Sequence, residues 1–293
     1  MTVVQYKGNQ GTNVPNTSRG PSPYLWTDCP VDGLLNQTVD GVYFYDDFID
    51  FGIPGTQTTE INLGRYKVFA STGGNWAVDT LPHAANTSNI GGVISVANDA
   101  AGEQATLGTA ACPFYLTTDS ASVGKLWFEA RIATTGIATD CAQLFVGLCE
   151  NNAGAFAGGL PLGDANATSA TPAMIGWVRL EDGLGVLGTY YQDHATSWTA
   201  IQASSGTIAA NTWTKVGFTF DPTDTLYPLK FYQNGVLVLT TANVPASITK
   251  ATLAATTHLD AKGLGPCIAT YADAQGTTNY LYLDWWRCAQ IQN

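Results

Sequence analysis

From Val42 onward, apolar and polar residues alternate with a period of two, the spacing that sends successive side chains to opposite faces of a strand. In KLWFEARIAT, Leu126, Phe128, Ala130 and Ile132 share one face, and Trp127, Glu129 and Arg131 share the other. AQLFVGLCE repeats the device with Leu144, Val146 and Leu148. WTKVGFTFDP places Val216, Phe218 and Phe220 inward, with Lys215, Thr219 and Asp221 outward. The last run, NYLYLDWWRCAQI, sets Leu281, Leu283 and Trp285 against Tyr282, Asp284 and Trp286. Asn234-Gly235 between two apolar runs predicts a tight hairpin. Helical periodicity is almost absent, with a turn or two around residues 31–37 the best candidate. Short strands between Gly-, Asn- and Asp-rich turns predict an all-β sandwich with jelly-roll connections.

Residues 1–40 follow no such period. GNQGTNVPNTSRGPSPYLW is rich in Gly, Asn, Pro and Ser, yet it ends in Tyr24, Leu25 and Trp26, and Leu34-Leu35 follow. Apolar anchors of this kind predict an extended arm that docks, either on its own domain or on a neighbouring subunit. Residues 41–293 then form the sandwich domain. Within it, ENNAGAFAGGLPLGDANATSATPA, residues 150–173, reads as a long loop of small residues, a length usually tied to function or motion.

Composition sharpens the picture. The chain is 45% hydrophobic but only 12% charged, so surface polarity must come mainly from Thr, Asn, Ser and Gln. A net charge of −11 without any basic run argues against nucleic acid as a partner. No apolar run approaches the roughly 18 residues of a membrane span. MTVVQYKGNQGTNVP lacks the apolar stretch of a secretory signal, which gives the expectation of synthesis in a cytoplasm. Cys29, Cys112, Cys141, Cys149, Cys267 and Cys288 form no Cys-x-x-Cys pair and read as buried thiols. Sequons at Asn16, Asn36, Asn86 and Asn166 carry weight only in a secreted chain.

The chemistry-bearing motifs are weak. GLGVLG at 183–188 matches a dinucleotide-binding template by letter, but TYYQD after it is strand-like, so a glycine-rich turn is expected. His83, His194 and His258 share no metal-ligand spacing, and Asp193-His194 reads as a solvated turn. No cofactor is implied. The acidic stretch YDDFIDF supplies Asp46, Asp47 and Asp50 as weak calcium candidates. In an extended chain Asp46 and Asp50 would lie roughly 13 Å apart at about 3.3 Å per residue, beyond the roughly 5 to 9.5 Å used by paired glycosidase carboxylates.

FYDDFIDFG near the start of the domain and YLYLDWWRCAQI at its end resemble the first and last strands of concanavalin A-like lectins and glucanases, laminarinase-type enzymes included. KLWFEARI, FVGLCE, WTKVGFTFDP and LKFYQNGVLV fit inner strands of that sandwich. The whole order, with RGPSPYLWTDCP ahead of it, resembles jelly-roll virion proteins of tailed bacteriophages. The glucanase signature Glu-x-Asp-x-x-Glu or Glu-x-Asp-x-Glu is missing: no two of Glu60, Glu103, Glu129, Glu150 and Glu181 lie within twenty positions. An ion pair with Arg131 is the simplest role for Glu129. The resemblance therefore implies the fold without the enzyme activity.

What the resemblance implies is a structural protein of a phage particle: a decoration or cement protein on the outer head surface, held by residues 1–40. Its partners would be the major capsid protein and neighbouring copies, in a trimer by analogy with other shell decorations. Tyr24, Leu25, Trp26, Leu34 and Leu35 would anchor the arm. The alternative is a lectin-like module, free or virion-displayed, or a tail or fibre component. There Trp76, Trp198 and Trp286 would stack on sugar rings, with loop 150–173 framing a pocket.

Overall fold

The computed structural model describes residues 19–48, 61–70, 75–79, 92–98, 103–138, 142–150, 172–180, 184–193, 198–256, 259–260, 262–272 and 279–293. Along the chain run a short helix α1 (Val31–Leu35), then β1 (Gly41–Asp46), β2 (Ile61–Leu63), β3 (Tyr66–Ala70), β4 (Asn75–Asp79) and β5 (Val93–Asn98). Next come β6 (Gln104–Thr109), β7 (Val123–Thr134), β8 (Gln143–Glu150), β9 (Met174–Arg179), β10 (Val186–Gln192) and β11 (Thr199–Thr207). The rest are β12 (Thr214–Phe220), β13 (Leu229–Gln233), β14 (Val236–Leu237), a second short helix α2 (Lys250–Ala254), β15 (Leu264–Tyr271) and β16 (Asn279–Gln292). Among the described residues no helix is long and apolar enough to cross a membrane.

The strands form two antiparallel sheets. Sheet A has the order β14-β13-β12-β7-β16-β5-β4, with β1 also on β16; sheet B has the order β11-β10-β9-β8-β15-β6-β3-β2. Strands far apart in sequence lie side by side: β16 pairs with β7 at the centre of A, and β15 with β8 at the centre of B. The inner faces supply one shared core, which holds Leu126, Phe128, Ala130 and Ile132 of β7 and Val216, Phe218 and Phe220 of β12. Across from them lie Leu144, Val146 and Leu148 of β8, with Ile175 and Trp177 of β9. Trp177 spans the two layers, its Nε1 donating to the Gly217 carbonyl of sheet A at 3.1 Å. Phe218 packs on Phe128 and Phe231 with ring centroids 5.3 and 5.4 Å apart. The inward phase of β7, β8 and β12 is thus the one expected from the alternation.

Asn234-Gly235 makes the β13–β14 hairpin, both residues at positive φ (49° and 77°) as a type I′ turn requires. GLGVLG enters β10 through Leu184 (φ 44°) and Gly185 (φ 80°), a left-handed turn with no helix after it.

Two expectations change. In β16 a register shift between Leu283 and Trp285 makes Asp284 the extra residue and reverses the phase of the strand. Leu281 and Leu283 point inward as read, but beyond the bulge Trp286 and Cys288 do, and Trp285 faces outward. Second, the outward positions are not solvated. Every residue of β8, β9 and β12 is buried, including Lys215 and Thr219, because both outer faces are covered.

Candidate functional site

The outer face of sheet A is closed by the chain's own Arg19–Asp40 segment, called the strap here. The strap adds no strand, since the backbone–backbone bonds of Arg19–Leu35 all run within the strap itself. It is held instead by side chains of the sheet that read its backbone. Trp285 Nε1 donates to the Arg19 carbonyl at 2.7 Å and Lys215 Nζ to the Gly20 carbonyl at 3.1 Å. Glu129 Oε2 accepts from the Ser22 amide at 3.0 Å and from Trp26 Nε1 at 2.8 Å. Asp284, fully buried, takes Arg19 Nη2 at 2.9 Å on one oxygen and Arg131 Nη1 on the other. At the far end Asp28 receives Trp127 Nε1 at 2.9 Å and pairs with Lys125. Arg287 stacks its guanidinium on the Trp26 ring, 4.1 Å from the centroid. Leu25 rests on Gly217, where an added Cβ would come within 2.7 Å of Leu25 Cδ1.

The expected Glu129–Arg131 ion pair is therefore not formed. The bulge brings Asp284 under Arg131, and Glu129 is engaged by the strap. Burial pushes the Glu129 carboxyl above its ordinary value, with Ser22, Lys215 and Trp26 only partly opposing it. Burial likewise lowers the Lys215 ammonium, against the nearby Glu129 charge.

The five arm anchors separate into two groups. Leu25, Trp26 and Leu34 are buried against Trp127 and Ala289 of the same chain, whereas Tyr24 (75% exposed) and Leu35 (58%) face outward.

The outer face of sheet B has a different chemistry. Pairing aligns Tyr190, Gly176, Gly147 and Cys267 in one row across β10, β9, β8 and β15. The flanking rows run Gln192, Met174, Cys149 and Gly188, Val178, Phe145, Ala269. Phe145, Cys149, Met174, Val178, Tyr190, Cys267 and Ala269 form one apolar cluster, with Trp198 and Tyr271 partly buried against it. At its rim the Trp198 ring lies 5.7 Å from Phe145 and 6.3 Å from Tyr190, the latter edge-on at 82°. No Asp, Glu, Lys or Arg lies in these rows. The cluster residues are themselves buried, none more than 8% exposed, so a ligand ring can meet this face only at its edge, through the partly buried Trp198 and Tyr271, and these rows cannot deliver acid–base chemistry.

Of the three tryptophans read as sugar contacts, Trp198 alone is placed at this rim. Trp286 is fully enclosed in the core between Phe44, Phe48 and Tyr66, because the β16 bulge turned it inward, and it offers no face to a ligand. Trp76 lies in β4, but its side chain falls outside the described residues, as does most of loop 150–173. Phe145 and Tyr190 were not singled out from sequence. The signal was there for Phe145, since both phases of QLFVGLC are apolar, as in a strand covered on both faces.

The calcium candidates are not assembled. Asp46 accepts from the Phe48 amide at 2.6 Å and engages Arg65 and the Tyr66 hydroxyl; Asp47 is half-buried and Asp50 is outside the described residues. No cluster of three metal-binding side chains occurs among the described residues. Buried Glu150 Oε2 accepts from the Ala173 amide at 3.3 Å. None of Cys29, Cys112, Cys149, Cys267 and Cys288 is in a disulfide, and Cys141 lies outside the described residues.

Comparison with solved structures bears on the fold. Peanut lectin, solved with a nine-residue peptide, matches with a TM-score of 0.51 at 11% identity, over 87% of this chain and 99% of the lectin. The chain has the concanavalin A-like jelly-roll fold. A protein of unknown function from Shewanella oneidensis MR-1 matches with a TM-score of 0.50 at 15% identity, over 90% of this chain and 94% of that one. An endo-1,3-beta-glucanase from Streptomyces sioyaensis follows at a TM-score of 0.45 and 14% identity, covering 87% and 97%, too distant to argue from. No protein-family model and no curated protein sequence matches the chain. At these identities the likeness extends to the fold and no further.

Proposed function

We propose that this protein is a non-catalytic, lectin-like carbohydrate-binding sandwich that takes an uncharged sugar at the rim of sheet B. The observation that carries the reading is the Trp198 ring, partly open and backed by Phe145 and Tyr190 beside an apolar, uncharged face. Sugar rings present a C–H face that packs on aromatic rings, while hydroxyls at the ring edge need polar partners. Tyr271, partly buried at the same edge, carries such a group in its hydroxyl. The concanavalin A-like fold shared with a lectin is consistent with this role.

A glycan array followed by calorimetry on the strongest hit tests it. Trp198→Ala should weaken that hit at least tenfold in a chain that still folds cooperatively, with the melting midpoint lowered only by the lost packing on Phe145 and Tyr190. An array without signal above background, or a hit indifferent to Trp198, would refute the reading.

A second reading, a decoration protein on a phage head, draws on Tyr24 and Leu35, two large apolar side chains that the strap leaves facing outward. Co-sedimentation with particles at fixed high copy, lost in a Tyr24→Ser, Leu35→Ser double variant, is the expected result. A protein found only at the top of the gradient would dismiss it.

A further inference from the structure

We propose that the outer face of sheet A is a peptide-binding groove, that Arg19–Asp28 is its resident ligand in cis, and that the same segment of a second copy of this chain can occupy it in trans. The proposal does not rest on sugar binding at sheet B.

Three observations carry it. First, the groove recognises an extended segment in the way peptide sites do, through backbone groups and spaced anchors. Trp285, Lys215 and Glu129 bond the backbone at Arg19, Gly20 and Ser22, while Leu25 sits over Gly217 and Trp26 under Arg287. Charge sets the direction, with Arg19 at the Asp284 end and Asp28 at the Lys125 end.

Second, the strap is separable from the fold. Arg19–Val39 contributes no rung to either ladder; the first backbone bond to the sheet is from the Gln292 amide to the Asp40 carbonyl at 3.0 Å, and β1 begins only at Gly41. The connector Asn36–Asp40 contains Gln37 at φ 56°, a left-handed conformation that a non-glycine residue adopts at a cost. Its five residues can span about 17 Å when extended, enough to carry the strap off its own face.

Third, closure is imperfect, so exchange does not sacrifice an optimised contact. The strap covers Arg131, Lys215 and Arg287 against Glu129 and Asp284 and brings Arg19 as a further cation, leaving a positive surplus. Buried Arg287 Nε and Ser22 Oγ have no hydrogen-bond partner. Charges taken out of water with incomplete partners oppose docking and bring the open state closer in free energy. Exchange of an identical element between copies is then the low-cost route to association.

The test uses the full chain and a synthetic, fluorescently labelled peptide with the sequence of residues 19–28, RGPSPYLWTD. Trp26→Ala weakens the strap in cis and should raise peptide affinity at least tenfold over wild type, read by anisotropy. Adding Glu129→Gln should reverse that gain, and a scrambled peptide should not compete. Where Trp26→Ala fails to fold, Asp28→Asn weakens the strap from its exposed end. In sedimentation, a mixture of the Trp26→Ala chain, with an intact groove, and the Glu129→Gln chain, with an intact strap, should form a mixed dimer that neither forms alone. A folded, strap-weakened chain that ignores the peptide, equal binding of the scrambled peptide, or mixed chains that stay monomeric would each overturn the proposal.

Discussion

Replacing Trp26 with alanine perturbs the strap at its most connected residue. The ring is 8% exposed, stacks under the Arg287 guanidinium and donates its Nε1 hydrogen to buried Glu129. Truncating a buried Trp to Ala costs about 3–5 kcal/mol. Within that figure, a hydrogen bond to a charged group is worth about 1.5–3 kcal/mol and a desolvated cation–π contact about 0.5–2 kcal/mol, and these contributions do not add. Arg19–Val39 carries no ladder bonds, so the loss should appear as local opening before it appears as global unfolding. At about 1.4 kcal/mol per tenfold, a loss near 3 kcal/mol means a roughly hundredfold rise in opening. Hydrogen exchange reads this directly. The Ser22 amide, bonded to Glu129 Oε2 in the closed strap, should exchange about a hundredfold faster in Trp26→Ala, while amides of the β7–β16 ladder keep their protection. Fast exchange at Ser22 already in the wild type, or no change in the variant, would refute the docked strap.

Asp284→Asn leaves Arg19 and Arg131 facing a neutral group in a dry site and should cost about 3–5 kcal/mol, read as a lower urea midpoint; a cost under about 1 kcal/mol would refute the buried pairing. The Glu129 carboxyl, raised by burial, contributes stability that is fully present below its unfolded value of 4.5 and is lost as pH rises through the folded value. Wild type should therefore lose stability relative to Glu129→Gln as pH rises from about 4.5. Asp28 is lowered and acts below 3.8, outside that window, so a difference that stays flat with pH would count against a desolvated Glu129.

Alternation along KLWFEARIAT, AQLFVGLCE and WTKVGFTFDP specified which side chains of each strand meet the other sheet, and the shared core follows it residue by residue. That information is local, because the pleat alone sets it. Three features escaped the same reading for one physical reason: they depend on what lies outside the strand. Glu129, Lys215, Asp284 and Arg287 occupy the phase that looks solvent-facing, and only a segment more than a hundred residues away in sequence removes them from water. The bulge at Asp284 leaves no mark in the alternation itself, and it decides both the partner of Arg131 and the burial of Trp286. The rim around Trp198 needs β8, β9, β10 and β15 side by side, an order set by long-range pairing.

A sandwich can leave its outer faces to solvent or cover them, and here both faces carry a buried apolar cluster but only that of sheet A also buries charges. Sheet A is closed by its own strap, through an apolar cluster of Leu25, Trp26, Leu34, Trp127 and Ala289 together with buried charges and hydrogen bonds; sheet B carries an uncharged, buried apolar layer ending in an aromatic rim. An apolar face gains by meeting carbon, and the rim makes that contact available to a ring-shaped ligand. A charged face gains little net from being covered, since desolvation offsets most of the attraction. On sheet A the apolar contacts of the strap are offset by the cost of burying charges, which is why Trp26 and Glu129, and not the core, are the residues to perturb first.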